Sequence, residues 1–305
     1  MNLRPRTDFW QVGVVPAPAP TLTQPAALAA LRSRVVWLPE PGSWRYLADP
    51  FAVWRGGGLH VFVEAFDYRT RLGVIEHHEL SSDFVWRGRQ VALAGPSHFS
   101  FPFLIEMDGE VFMVPENQRS NEVALYRARH FPGDWVRETA LLPDLRGADA
   151  AVVHFEDRWW MFFTIVGPAA RDQRELHLAF ADRLTGPWQL HPQNPIRDNR
   201  TGARPGGTPF VSPDGVLTLP AQDCSETYGG AIRFLRFPVL DPDIVVVETS
   251  TVRLTGDLVS MTHCDGLHTF SSCGAVTLID AKRIARTFAR FPIDWGRKLR
   301  GIIST

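Results

Sequence analysis

Six acidic residues stand at matching places in a repeated pattern along the 305-residue chain: Asp49, Glu64, Glu116, Asp149, Asp223 and Asp265. Among them come His98, Arg204, His263 and His268. Carboxylates brought together repel one another, and neither repulsion nor burial helps a fold. Such a set therefore marks a place where a proton is moved, a cation held or hydroxyl groups bound. Each residue alone has a plainer reading. An Asp before Pro, as in Asp49-Pro50, ordinarily accepts a backbone amide in a turn, and a single histidine is more often hydrogen-bonded structure than a base or ligand. Six acids at equivalent positions point instead to one functional surface. Trp44 and Tyr46, just ahead of Asp49, are the aromatics placed to reach a ligand there, whereas the other tryptophans read as packing.

The equivalence comes from a repeat. Five times a short apolar strand, a tight turn and a second apolar strand follow one another, at 50–54 and 59–66, 102–106 and 110–115, 150–155 and 158–165, 209–212 and 216–220, and 268–271 and 275–279. With Gly57, Gly109, Asp157, Gly215 and Gly274 as the turn positions, the intervals are 52, 48, 58 and 59 residues. A period near 50 means blades, none able to bury its faces alone. Further apolar segments give four strands per unit, which predicts an all-β, five-bladed propeller. The blades fall at about 45–95, 96–145, 146–200, 201–254 and 255–285 with 9–40, in a single domain over 1–305. The last unit runs out of strands after Ile279, and Trp10–Val15 with Arg34–Leu38 are expected to complete it, closing the ring and removing open sheet edges. Between them Pro25–Arg32 makes a single short helix. Ala281–Arg300, with Lys282, Arg283, Arg286, Arg290, Arg297, Lys298 and Arg300 and broken by Pro292, reads as a helical tail with a solvated basic face, the basic tail proper being 286–305. Contact with a membrane surface or a partner is the alternative for it.

In an antiparallel hairpin the start of the first strand lies beside the end of the second. Seven residues after the turn position come Glu64, Glu116 and Thr164, and eight after it Asp223. The first strands start at Asp49, at Ser100 with His98 before it, at Asp149, at Thr208 with Arg204 before it, and at Asp265 with His268. All are expected at one end of the central channel.

Composition narrows the classes. Thirty-two basic against 33 acidic residues give a net charge of -1, which excludes the strong field of a nonspecific nucleic-acid binder. Cys224, Cys264 and Cys273 form neither a disulfide framework nor a zinc spacing, and no window approaches the ~18 apolar residues of a membrane span. A cytoplasmic protein without a transmembrane segment is the expectation.

Ala48-Asp49-Pro50-Phe51, Ala148-Asp149-Ala150 with the strand ending in Thr164, and Leu184-Thr185-Gly186-Pro187-Trp188 resemble phrases of the five-bladed propellers of glycoside hydrolase families 43, 32 and 68. A closer likeness, over most of residues 9–285, is to the propeller module named for the N-terminal region of glucosamine inositolphosphorylceramide transferase. It is carried by Ala48–Phe51, Phe101-Pro102-Phe103 to Pro115-Glu116, Arg204-Pro205-Gly206-Gly207, Pro220–Cys224 with Tyr228-Gly229, and Asp265–Thr269. The hydrolase resemblance implies a first-blade Asp as base or nucleophile and a third-blade Asp that tunes it, matched by Asp49 and Asp149. The implied Glu opening the fourth blade has no match, because Arg204-Pro205-Gly206-Gly207-Thr208 stands there. Glu116 or Asp223 is then the candidate proton donor. Arg204 suits an anionic substrate through paired hydrogen bonds, and His268, Glu64, His98, Tyr228 and Asp265 complete the substrate-binding set. A hard cation near His268 is permitted by the resemblance but not indicated, so no cofactor is expected. The expected activity is cleavage or transfer of a glycosyl unit from a carbohydrate or glycolipid. The rival is a noncatalytic glycan-binding module serving a glycosyltransferase or formyltransferase partner.

Overall fold

Two-residue turns that glycine or aspartate can make set the architecture. Gly56-Gly57 joins strand Arg45–Arg55 to Gly58–Asp67 with φ of 57° and 78°, and Asp108-Gly109 joins Phe99–Met107 to Glu110–Asn117 with 54° and 78°. Both positions at positive φ give the mirror-image turn whose twist matches that of the strands it links. A computed structural model describes residues 4–303 apart from residue 118, with side chains to residue 297. It forms five antiparallel sheets arranged as the blades of a propeller.

The first blade runs outward through Arg45–Arg55, Gly58–Asp67, Leu72–Ser81 and Trp86–Leu93, and the second through Phe99–Met107, Glu110–Asn117, Glu122–His130 and Gly133–Pro143. The third contains Gly147–Phe155, Arg158–Ile165, Glu175–Ala181 and Gln189–Leu190, with Arg197–Asp198 also on Glu175–Ala181. The fourth has Thr201–Pro205 and Phe210–Val211 on Leu217–Asp223, then Ala231–Leu240 and Val245–Thr249. The fifth is composite: Gly266–Cys273 and Val276–Arg286 are completed by Arg6–Val15 and Val36–Trp37. The N-terminal strands thus close the ring as expected, and the short helix between them is Pro25–Ala30, with Pro at its start and Leu28 buried. Phenylalanines pack where inner strands meet: Phe51 lies 4.9 Å from Phe101 and 5.1 Å from Phe103, all buried. Each such ring contributes about 1.5–3 kcal/mol by leaving water.

One boundary differs from the sequence reading. The strand expected to stop at Ile279 continues to Arg286, paired with Arg6–Val15 along its length. Lys282 is accordingly no part of a solvated tail. Its side chain is fully buried, its ammonium donates to the Tyr228 carbonyl, and it sits 5.0 Å from the Trp10 ring and 3.8 Å from Asp8. Those partners make a cation tolerable inside the blade. The tail helix is Arg290–Ile303, and Pro292 does not break it, because it occupies the first turn, where amides lack intrahelical acceptors.

The feature that builds the site is a bulge repeated near the axis. The inner hairpin slips register between Ala48 and Phe51, Ser100 and Phe103, Ala148 and Ala151, and Leu267 and Phe270. The residues entering these bulges are Asp49, Phe101, Asp149 and His268. The first three take φ of 50°, 45° and 48°, which re-aims the side chain out of the ladder. In the fourth blade the slip falls at 202–203, directly ahead of Arg204.

Candidate functional site

The hairpin register brings the acids together as their spacing implies, with Glu64 opposite Ala48, Glu116 opposite Ser100 and Thr164 opposite Ala148. A cavity of about 240 Å³ at that end of the channel is lined by Tyr46, Asp49, Glu64, His98, Ser100, Glu116, Asp149, Asp172, Arg204 and Tyr228. Five carboxylates thus face one guanidinium.

Asp149 is gripped from two sides. Arg204 Nε donates to its Oδ2 at 2.5 Å and Nη2 to its Oδ1 at 3.1 Å, while Gln222 Nε2 donates to Oδ2 at 2.9 Å. The same guanidinium reaches Glu116 at 3.1 Å and Asp172 at 2.9 Å, and lies 5.6 Å from the Tyr228 ring centroid. Burial raises the Asp149 carboxyl to about 7, offset in part by Arg204 and reinforced by the hydrogen-bonding neighbour Glu116. Arg204 stays firmly charged, because the carboxylates around it outweigh the burial that would strip its proton.

Among the described residues no arginine lies within ion-pairing distance of Asp49. Its Oδ2 accepts the Phe101 amide at 3.2 Å, while its Oδ1 lies 3.4 Å from the Thr269 hydroxyl oxygen and 3.7 Å from His268 Nε2. Burial raises this carboxyl to about 7 too, with His268 opposing and Asp149 and Asp280 adding repulsion. Behind His268, Asp280 takes the imidazole Nδ1 at 2.6 Å and the amides of His268 and Thr269 at 3.1 and 2.9 Å. It also takes the Asp49 amide at 3.0 Å and the Thr269 hydroxyl at 2.9 Å. Burial works against a proton on His268, but Asp280 and Asp49 hold it above the ordinary value. Trp10 stacks flat on the imidazole, ring centroids 3.7 Å apart, and fixes its plane.

Glu64 closes the third side. Burial first, then the charges of Asp49 and Glu116, push its carboxyl well above the usual range, although the Tyr46 hydroxyl bonds to it at 3.4 Å. Burial lowers His98 to about 4, so the ring is neutral. Because its Nδ1 accepts the Gly73 amide at 2.8 Å, the hydrogen sits on Nε2, 3.3 Å from Glu64.

Three expected members do not line the cavity: His268, which stands behind Asp49, and Asp223 and Asp265, which lie elsewhere. Asp223 is buried at the edge of the fourth blade, where Arg233 at 2.8 Å and the Ser225 hydroxyl and amide hold it ionised against burial and below its ordinary value. The displaced bulge of that blade pairs Asp223 with Thr201, so it does not line the cavity. Asp265 is exposed and accepts the Ile284 amide at 2.7 Å. His263 and Trp44 line a separate hollow of about 390 Å³ with Phe9, Glu40 and Arg283, while Tyr46 does reach the channel mouth. Arg204 is also not open for a substrate anion, since three carboxylates already occupy it.

The sequence reading missed Asp172 and Asp280. The first sits in the irregular stretch Pro168–Gln173, which follows no repeat. The second carried a signal, a lone charge inside the apolar strand sequence Val-Thr-Leu-Ile-Asp-Ala. Asp49, His268 and Asp280 offer ligand-type atoms within 4.8 Å of one another. They fit a cation poorly, however, because the two oxygens of Asp280 already accept five protein donors.

Fold and site together define a five-bladed propeller with a carboxylate-lined channel mouth. The chain belongs to the family described as glucosamine inositolphosphorylceramide transferase 1, N-terminal, whose model matches residues 38–254. It is 35% identical over 210 residues to a protein of that name from Oryza sativa subsp. indica, covering 66% of this chain and 28% of the relative. To the Arabidopsis thaliana protein of the same name it is 30% identical over 257 residues, covering 77% and 33%. The chain therefore spans about a third or less of these curated relatives. An α-L-arabinofuranosidase from Podospora anserina, solved with cellotriose, shares the fold with a TM-score of 0.58 at 10% identity, over 81% of this chain and 93% of that one. Among the described residues no helix is long and apolar enough to cross a membrane.

Proposed function

We propose that the channel mouth binds a glycosyl unit and cleaves or transfers it, with Asp49 as base or nucleophile and the Asp149–Glu116 pair as the source of the proton. One observation carries this reading: two buried carboxyls, Asp49 and Asp149, both raised to about 7, line one cavity. At neutral pH one can hold a proton while the other gives one up, the division of labour that glycosidic bond cleavage requires. In the reaction the proton passes to the leaving glycosidic oxygen as Asp49, or water activated by it, attacks the anomeric carbon. Glu64, His98 and Tyr228 bind hydroxyl groups. Arg204 keeps the acid pair in place instead of gripping an anion, and Asp223 has no part. The name of the plant relatives joins an amino sugar to inositolphosphorylceramide, which brings a glycolipid headgroup forward as the substrate class.

A second reading has its own support. Arg204 engages Asp149, Glu116 and Asp172 at once, as it would in a rigid binding site serving a glycosyltransferase or formyltransferase partner. A panel of furanosides and pyranosides, amino and anionic sugars included, offered to wild type and Asp49→Asn separates the two. Sugar release that falls on the order of a hundredfold or more in Asp49→Asn supports the enzyme. No turnover by either, with a sugar that raises the melting temperature of both, overturns it in favour of the binding module.

A further inference from the structure

Over its described side chains, 290–297, the C-terminal helix Arg290–Ile303 is docked inside out. Arg290, Asp294 and Arg297, at helical spacings of four and three, turn toward the propeller. The Arg290 guanidinium lies 4.2 Å from the Tyr68 ring centroid, and it donates to the Thr7 hydroxyl at 3.2 Å and to Asp294 at 3.1 Å. Arg297 donates to the Tyr68 carbonyl at 3.3 Å and reaches Asp294 at 2.9 Å. Phe291 and Trp295, one turn apart, are 52% and 70% exposed, and Phe288, just ahead of the helix, is 53% exposed and stacked on Phe291. A helix that only caps its own domain buries its apolar stripe and exposes its charges. Here the ion pairs face inward and the aromatic rings outward.

A cation lies against one of those rings, and more stand on the chain to either side. The Arg4 guanidinium is 5.3 Å from the Phe288 ring centroid, Arg283 and Arg286 are exposed on the strand that leads to the helix, and Lys298 and Arg300 follow in the sequence. Asp294, the single acid of the helix, is already engaged by two arginines. A protein partner would desolvate exposed cations such as Arg283 and Arg286, whereas lipid phosphates offer them acceptors at a wet surface. We propose that this segment docks on an anionic membrane surface, with Phe288, Phe291 and Trp295 entering the boundary between headgroups and acyl chains and the arginines binding lipid phosphates. The location gives the docking a direction. Tyr68, under Arg290, packs 5.9 Å from Tyr46, which lines the channel mouth, and the helix follows the strand end on that side of the ring. A docked protein holds the mouth beside the headgroup layer.

The test is co-sedimentation of the full chain with vesicles of phosphatidylcholine alone and of phosphatidylcholine mixed with phosphatidylglycerol, using wild type and a Phe291→Glu, Trp295→Glu double variant. Both side chains are exposed, and an unchanged unfolding midpoint verifies that the variant folds. Binding to the anionic vesicles that weakens with salt and drops on the order of tenfold or more in the variant supports the proposal. No association of wild type with either vesicle overturns it, as does equal binding by the variant. A concentration-dependent dimer abolished by the same substitutions would assign the face to a second copy of the chain and overturn it as well.

Discussion

Asp49 and Asp149 occupy the same bulge in the first and third blades, with φ of 50° and 48°, and burial lifts both to about 7. Their neighbours differ. Asp149 is clamped by a guanidinium that also holds Glu116 and Asp172, whereas Asp49 accepts the Phe101 amide and stands beside a histidine steadied by Asp280. The repeat fixes where each carboxylate sits, and the adjoining blade decides what it can do. The fourth blade supplies an arginine beside Asp149, and the fifth supplies a polarised imidazole beside Asp49. One side of the mouth is consequently clamped by a guanidinium, and the other rests on backbone amides and an imidazole.

The largest effect expected from this difference comes from removing the clamp. Arg204→Met leaves Asp149, Glu116 and Asp172 without their counter-charge, and urea unfolding should show a loss of about 3–5 kcal/mol or failure to fold. Stability close to wild type would mean that the third blade does not depend on the guanidinium. A smaller effect is expected at Asp223, the acid that shares the sequence pattern but not the cavity. Its folded carboxyl lies below the unfolded value, so its contribution is present above that value and disappears as pH falls through the folded one. Asp223→Asn should therefore cost about 1–3 kcal/mol at neutral pH, and the difference from wild type should shrink in acid. A cost that grows as pH falls would contradict this assignment.

The propeller, its closure by the N-terminal strands and the meeting of Asp49, Glu64, Glu116 and Asp149 were legible because turn spacing and hairpin register are local properties of the chain. Asp223 was misplaced because the fourth blade carries its bulge at 202–203 ahead of Arg204, a one-blade irregularity that a regular repeat conceals. Lys282 looked like a solvated tail because a buried cation is legible only through its partners, and those come from the distant residues Trp10, Asp8 and Tyr228. The clamp on Asp149 was illegible for the same reason. Arg204 is 55 residues away along the chain and Asp172 sits in an irregular insertion, so nothing local shows that the arginine expected to hold a substrate is already occupied.

The most direct test of the account is a titration of the Asp49 and Asp149 carboxyl carbons by NMR in the full chain, assigned with Asp49→Asn and Asp149→Asn. Both carboxyls are predicted to take up their protons at about 7, against an ordinary value of 3.8, each curve shifting when the other residue is replaced. Titration of both at the ordinary value would contradict a channel mouth poised for proton transfer at neutral pH.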